Sequence, residues 1–200
     1  MIDQAVDAIQ RGKVIVFPAD TVYGLGTSAL HEDAVRNLYR LKQRLLTQPT
    51  ALIAPDIDML LELVPELRGR AGVIARALLP GPFTLVLPNP ARRYRWLTGK
   101  NYDTIGVRVP ELPEPSAELL GRVSALAATS ANRTGGPEPA RLEDVPEELR
   151  DGAAVVLDGG KLPGLPSTVL DFTGPEPRVL REGAVSSVGA IERAREALAN

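Results

Sequence analysis

The sequence predicts an α/β domain built on a mixed sheet, and three observations carry that prediction. Short apolar runs of strand length end at proline, as in Val14-Ile15-Val16-Phe17 before Pro18 and Ile105 to Val109 before Pro110. Between them lie segments with helical spacing, such as Ile2, Ala5, Val6 and Ile9. The two kinds of segment alternate from one end of the chain to the other, the pattern of interleaved strands and helices.

Taken in order, Ile2 to Ile9 forms the first helix, with Gly12 as its stop. Val14 to Phe17 is a buried strand. Asp20 to Gly26 follows as a Gly-rich segment. Glu32 to Lys42 is the second helix, carried by Ala34, Leu38 and Leu41, and Thr50 to Ala54 is a strand before Pro55. Ile57 to Val64 and Val73 to Leu79 read as two short helices around Pro65. Phe83 to Leu87 and Ile105 to Val109 are strands, and Ala117 to Val123 is a helix. The apolar run Leu126 to Ala128 leads into Thr129-Ser130-Ala131-Asn132. Glu143 to Leu149 is a short helix and Ala154 to Leu157 a strand. Val169 to Phe172 pairs with Val179 to Arg181, and Val188 to Leu198 is the last helix. No internal repeat or long linker divides the chain, so residues 1–200 read as one domain.

Composition narrows the chemistry. A net charge of −2 argues against a strongly basic nucleic-acid sleeve, and 44% hydrophobic residues argue against disorder. The absence of cysteine excludes thiol nucleophiles, cysteine–zinc sites and iron–sulfur clusters. A single histidine, His31 near a helix start, leaves no material for a His-rich metal site. The acidic residues of the first helix do not resemble a signal peptide, and no apolar run approaches the ~20 residues of a membrane span. A soluble, cytoplasmic protein is expected.

The chemistry must then rest on carboxylates, cations, hydroxyls and backbone groups. Pro18 to Gly26 leaves a strand and brings together Asp20, Thr21, Tyr23 and two glycines, at a kind of position where α/β folds bind ligands. Lys42 and Arg44 leave a helix one residue apart, suited either to polyphosphate or to the helix dipole. In Thr104 to Pro110, the polar set Thr104, Gly106 and Arg108 alternates with Ile105, Val107 and Val109, which puts Arg108 on one sheet face in need of an anionic partner. Ala128 to Gly136 offers hydroxyls, an amide and glycines, as in a phosphate or ribose cradle or a capped turn. Pro166 to Asp171, with Arg181 downstream, is a further candidate. Arg92-Arg93-Tyr94-Arg95-Trp96 is the one basic-aromatic cluster, read as a solvated loop rather than an RNA contact.

Together and in register, seven segments resemble the YrdC-like family of threonylcarbamoyl-AMP synthases. They are Val16 to Leu25, Leu38 to Arg44, Pro80 to Leu87, Val107 to Pro110, Ser130 to Asn132, Ser167 to Val169 and Leu180 to Ala184. The resemblance implies a twisted mixed sheet with flanking helices around a concave cavity. It also implies a nucleotidyltransferase reaction: L-threonine, bicarbonate and ATP give L-threonylcarbamoyladenylate and pyrophosphate. Downstream proteins then transfer the threonylcarbamoyl group to adenosine 37 of tRNAs reading ANN codons, and weak tRNA binding by the chain itself is compatible with this. The chain resembles the short, single-domain form.

By the same resemblance, Lys42 and Arg44 are the catalytic cations. Thr21, Arg108, Ala128 and Ser167 belong to the threonine pocket, with Arg108 meeting the carboxylate. Lys42, Arg44, Gln48, Thr104, Ser130, Asn132 and Arg181 belong to the ATP side. Mg²⁺ is expected with ATP, and the sequence offers no dedicated acidic cage for it. The pattern is broken at Ala19 and Thr50, where the family usually has Thr and Leu, and at Leu45 and Thr129, each in place of Pro. Glu138 stands where a small hydroxyl residue is usual, and a carboxylate there repels a triphosphate. An RNA-binding module acting on tRNA or ribosome precursors is the alternative function.

Overall fold

The structure, a computed structural model, describes residues 1–199. Nine strands form one sheet: β1 (Ile15–Pro18), β2 (Tyr23–Ser28), β3 (Ala51–Ile53), β4 (Phe83–Pro88), β5 (Thr104–Arg108), β6 (Leu126–Ser130), β7 (Val155–Val156), β8 (Thr168–Asp171) and β9 (Arg178–Arg181). Their spatial order is β7-β1-β2-β6-β3-β5-β4-β8-β9. The pairs β1–β7, β3–β5 and β4–β8 are parallel and the rest antiparallel, so the sheet is mixed as the interleaving predicts.

Side chains alternate across the sheet and sort the apolar residues into two layers. One face carries Val16, Leu25, Leu52, Leu85, Val107, Ala127 and Leu170. It packs under α2 (Glu32–Lys42), α3 (Ile57–Leu63), α4 (Gly69–Leu78) and α7 (Ser187–Ala199). The other face carries Ile15, Phe17, Ile53, Leu126 and Ala128, covered by α1 (Ile2–Gln10) and α5 (Ser116–Val123). On this second face β4, β5 and β8 present Thr84, Val86, Thr104, Gly106, Arg108, Val169 and Asp171 to a cavity. Incomplete helical cover of one sheet face therefore creates the site. The alternation read in Thr104 to Val109 holds, and it extends to β4 and β8.

Three local differences from the sequence reading have physical causes. The Gly-rich segment does not stay a turn: Tyr23–Ser28 is a fully buried strand, paired so that Phe17 faces Gly24. A Cβ built on Gly24 or Gly26 would come within 3.0 or 2.9 Å of the Phe17 ring, so the aromatic occupies the room the glycines leave. The helix read over Glu143 to Leu149 divides into a 3₁₀ turn, Leu142–Asp144, and α6 (Glu147–Asp151). Pro146 lies between them and has no N–H to continue the ladder. Finally, the basic-aromatic segment is anchored rather than loose. Arg95–Leu97 is a 3₁₀ turn, Arg92 pairs with Asp103 and Arg93 with Glu66, both at 2.7 Å. Tyr94 and Trp96 stack edge-on, and Trp96 donates to the Ala29 carbonyl at 2.9 Å.

Candidate active site

The cavity has a volume of about 570 Å³. Of the eleven residues singled out from the sequence, Thr21, Arg44, Thr104, Arg108, Ala128, Ser130, Ser167 and Arg181 line it. Lys42, Gln48 and Asn132 are not among its lining side chains.

Thr21 lies in the turn from β1 to β2 and is buried. Its carbonyl accepts from the Gly164 amide at 2.9 Å, which ties this turn to the segment leading into β8. Its neighbour Asp20 takes the Arg108 guanidinium at 2.7 Å (Nη2 to Oδ1), with side-chain exposures of only 8% and 12%. That carboxylate is the partner an arginine on this sheet face requires. The pair does not saturate itself: Arg108 Nε and Asp20 Oδ2 are both buried without a hydrogen-bond partner. Ala128 sits mid-strand in β6, and its carbonyl accepts from the Thr50 hydroxyl at 2.7 Å.

Arg181, at the end of β9, is locked to Ser167. Its Nε and Nη2 donate to the Ser167 carbonyl at 3.0 and 2.8 Å, and Nη2 reaches the Ser167 hydroxyl at 3.1 Å. That hydroxyl lies 2.9 Å from the Thr84 hydroxyl across the β4–β8 pair. Gly183 lets the chain return close to this point, because a Cβ there would lie 2.2 Å from the Pro166 carbonyl oxygen. Partial burial, with Arg108 nearby, lowers the Arg181 pKa, and Glu138 opposes that shift.

Gln43 adopts a left-handed conformation that ends α2 and turns the chain toward Arg44. Arg44 donates to the Pro49 carbonyl at 2.7 Å, while its Nε is buried without an acceptor. The Thr104 hydroxyl makes a long contact, 3.4 Å, to the Asn101 carbonyl.

Lys42 is buried and bonded within the fold. Its Nζ donates to the Ser130 carbonyl at 2.5 Å and to Asn132 Oδ1 at 2.7 Å. Ser130 Oγ donates to the same Asn132 oxygen at 2.7 Å, and Asn132 Nδ2 donates to the Gly136 carbonyl. Lys42, Ser130 and Asn132 thus form one network that fixes the Ser130 side chain. Burial first, then repulsion from Arg44, pushes the Lys42 pKa down to about 8, against the pull of Glu138. Gln48 contributes its backbone: the Tyr39 hydroxyl donates to its carbonyl at 2.5 Å.

Several lining residues escaped sequence reasoning. Asp171 ends the Pro166 to Asp171 segment and carries no spacing signal of its own. It accepts from the Thr173 amide and hydroxyl at 2.9 and 2.6 Å and from Arg178 at 2.5 Å. These bonds hold its pKa below the usual carboxylate range although burial pushes the other way. Lys100 and Asn101 come from a polar loop that carries no motif. Among the described residues, no group of three or more His, Cys, Asp or Glu side chains could hold a metal ion, and no helix is long and apolar enough to cross a membrane.

This cavity, with hydroxyls and arginines from β4, β5, β6, β9 and the intervening loops, has counterparts in known proteins. The Sua5/YciO/YrdC family model, described as telomere recombination, matches residues 7–183. The threonylcarbamoyl-AMP synthase of Pyrococcus abyssi is 37% identical over 184 residues, covering 90% of this chain and 53% of its own length. That of Bacillus subtilis is 32% identical over 186 residues, covering 92% of this chain and 54% of its own. The chain spans about half the length of these two relatives. The crystal structure of P. abyssi Sua5 complexed with L-threonine superposes with a TM-score of 0.83 at 34% identity, over 96% of this chain and 56% of that one. Sequence match and fold agree across nearly all of the molecule, and the chain belongs to the Sua5/YciO/YrdC family.

Proposed function

We propose that the chain is a threonylcarbamoyl-AMP synthase, forming L-threonylcarbamoyladenylate and pyrophosphate from L-threonine, bicarbonate and ATP. One observation carries the reading. Arg44 and Arg108, from distant segments, each hold a buried Nε–H without an acceptor at the same cavity. A buried donor on a permanent cation calls for an anion. This reaction brings two, an amino-acid carboxylate and a triphosphate. The names of the Pyrococcus and Bacillus relatives support the same reading.

The chemistry needs no protein nucleophile. Threonine's free amine and bicarbonate condense to a carbamate with loss of water. A carbamate oxygen then attacks the α-phosphorus of ATP, the bond from that phosphorus to the bridging oxygen breaks, and pyrophosphate leaves. The protein positions the two substrates and stabilises the developing charge. Arg108, oriented by Asp20, takes the threonine carboxylate beside Thr21, Ser167 and the Ala128 backbone. Arg44, Arg181, Thr104 and Ser130 face the nucleotide. Lys42 and Asn132 act through Ser130, which they hold in place, and Gln48 serves through its carbonyl. Mg²⁺ bound with ATP supplies charge neutralisation on the phosphates.

The product is a reactive mixed anhydride, so proteins that transfer its threonylcarbamoyl group to tRNA stand next in sequence. The cytoplasm, where ATP and tRNA meet, is the proposed compartment. The RNA-binding alternative has no comparable support, since Arg92 and Arg93 of its motif are paired within the fold. The test is mass-spectrometric detection of threonylcarbamoyladenylate from the purified protein with ATP, threonine and bicarbonate. Its formation, dependent on all three, is the expected result. ATP hydrolysis without that product, or no turnover, overturns the proposal.

A further inference from the structure

The proposed reaction gives no task to either carboxylate lining the cavity, Asp171 or Glu138, but Asp171 is bonded to Thr173 and Arg178 whereas Glu138 keeps an unpartnered oxygen. Glu138 stands between Pro137 and Pro139, and the Pro139 carbonyl is fixed by the Tyr23 amide at 2.9 Å. The residue lines the cavity, and its Oε2 is shielded from water with no hydrogen-bond partner. Its field reaches Lys42 and Arg181. It therefore acts on Arg181, assigned here to the nucleotide, and on Lys42, which holds Ser130.

An unpartnered, shielded carboxylate oxygen is costly until a donor or a cation meets it. It also repels a metal-free triphosphate held by the same cations, strongly so in a site of low effective dielectric. A divalent cation shared between carboxylate and phosphate reverses that sign. Mg²⁺ is commonly held by one or two carboxylates together with substrate phosphates and water. We propose that Glu138 makes the cavity select the magnesium complex of ATP against the metal-free nucleotide, by offering the metal a carboxylate ligand. The inference rests on the reading of this cavity as an ATP site. A ribose hydroxyl donating to the same oxygen is the competing occupant, and it would act without metal.

Calorimetry of ATP binding, with and without Mg²⁺ at fixed ionic strength, separates these outcomes in the wild type, Glu138→Gln and Glu138→Ser. Mg²⁺ should tighten ATP binding to the wild type by at least about tenfold. Both variants should bind metal-free ATP more tightly than the wild type does and lose most of the gain from Mg²⁺. Electron paramagnetic resonance of Mn²⁺ with ATP should show a protein-perturbed metal spectrum in the wild type that is lost in Glu138→Gln, which keeps the side-chain volume. An equal gain from Mg²⁺ in all three proteins overturns the inference and leaves the ATP reading standing. Weaker binding of metal-free ATP by Glu138→Ser, retained by Glu138→Gln, also overturns it and assigns the hydroxyl role. Absence of adenine-nucleotide binding to the wild type in either condition removes both readings together.

Discussion

Arg108 and Arg181 line one cavity, but their charges are answered differently. Arg108 meets a carboxylate, Asp20, in a nearly buried pair. Arg181 meets the carbonyl and hydroxyl of Ser167, and Arg44 meets the Pro49 carbonyl. Carbonyls satisfy hydrogen bonds without cancelling charge. The Arg108 side of the cavity is thus close to electrically balanced, whereas Arg44 and Arg181 have no directly bonded carboxylate among the described residues, and Arg181 is countered only at a distance by the field of Glu138. A zwitterionic amino acid suits the first and a polyanion the second. The same fold produces both because Asp20 is bonded directly to Arg108, while Arg44 and Arg181 are bonded to neutral groups.

The contrast can be broken most forcefully at the pair itself. Asp20→Ala should cost about 3–5 kcal/mol of stability, because it strands the Arg108 charge in a poorly solvated place. A urea midpoint that barely moves would show that Arg108 does not depend on Asp20. The next effect is catalytic. Arg44→Ala should lower adenylate formation by at least about a hundredfold with the fold intact, since its hydrogen bond goes to a loop carbonyl. Arg108→Ala should instead act mainly on the KM for threonine. Threonine-dependent pyrophosphate release measures both, and an exchange of the two phenotypes would invert the assignment of the two parts.

The smallest effect concerns Lys42. Its pKa is about 8 in the fold against an ordinary 10.5. Between those values the unfolded chain binds more protons than the folded one, so this group's contribution makes folding more favourable as pH rises from about 8 to about 10.5. Below about pH 8 the cost of the buried ammonium is felt in full. Comparing unfolding free energies at about pH 7 and about pH 10 should give Lys42→Met a pH profile differing from the wild type by about 1–3 kcal/mol. Parallel profiles would mean that the ammonium is better solvated than its surroundings suggest.

The sequence exposes most of this architecture and only part of the site, for physical reasons. The helix read over Glu32 to Lys42 is the observed α2, because its apolar spacing and its end agree. β2 hid behind Gly24 and Gly26, which weaken any local strand signal, and only the Phe17 ring across the pair explains them. Arg108 visibly required an anion, but that Asp20 supplies it depends on β5 reaching the β1–β2 turn through strands in between. The spacing of Lys42 and Arg44 gives no sign that the Lys42 ammonium bonds to Ser130 and Asn132, which lie far away in the sequence. Local spacing carries the periods of helices and strands. It does not say which long-range partner claims a flexible cation.

The strand order has a consequence for synthesis. β2 has β6 as its neighbour, so one side of the first hairpin stays open until a much later segment leaves the ribosome. Arg181, on the outermost strand β9, is the last of the cavity cations to emerge. A nascent chain stalled before β9 would carry Asp20, Arg44 and Arg108 but lack Arg181, and so would lack one cation of the proposed nucleotide site. Binding that depends on Arg181 therefore waits for β9 to emerge, and a nascent fragment that stops short of β9 is not expected to show it.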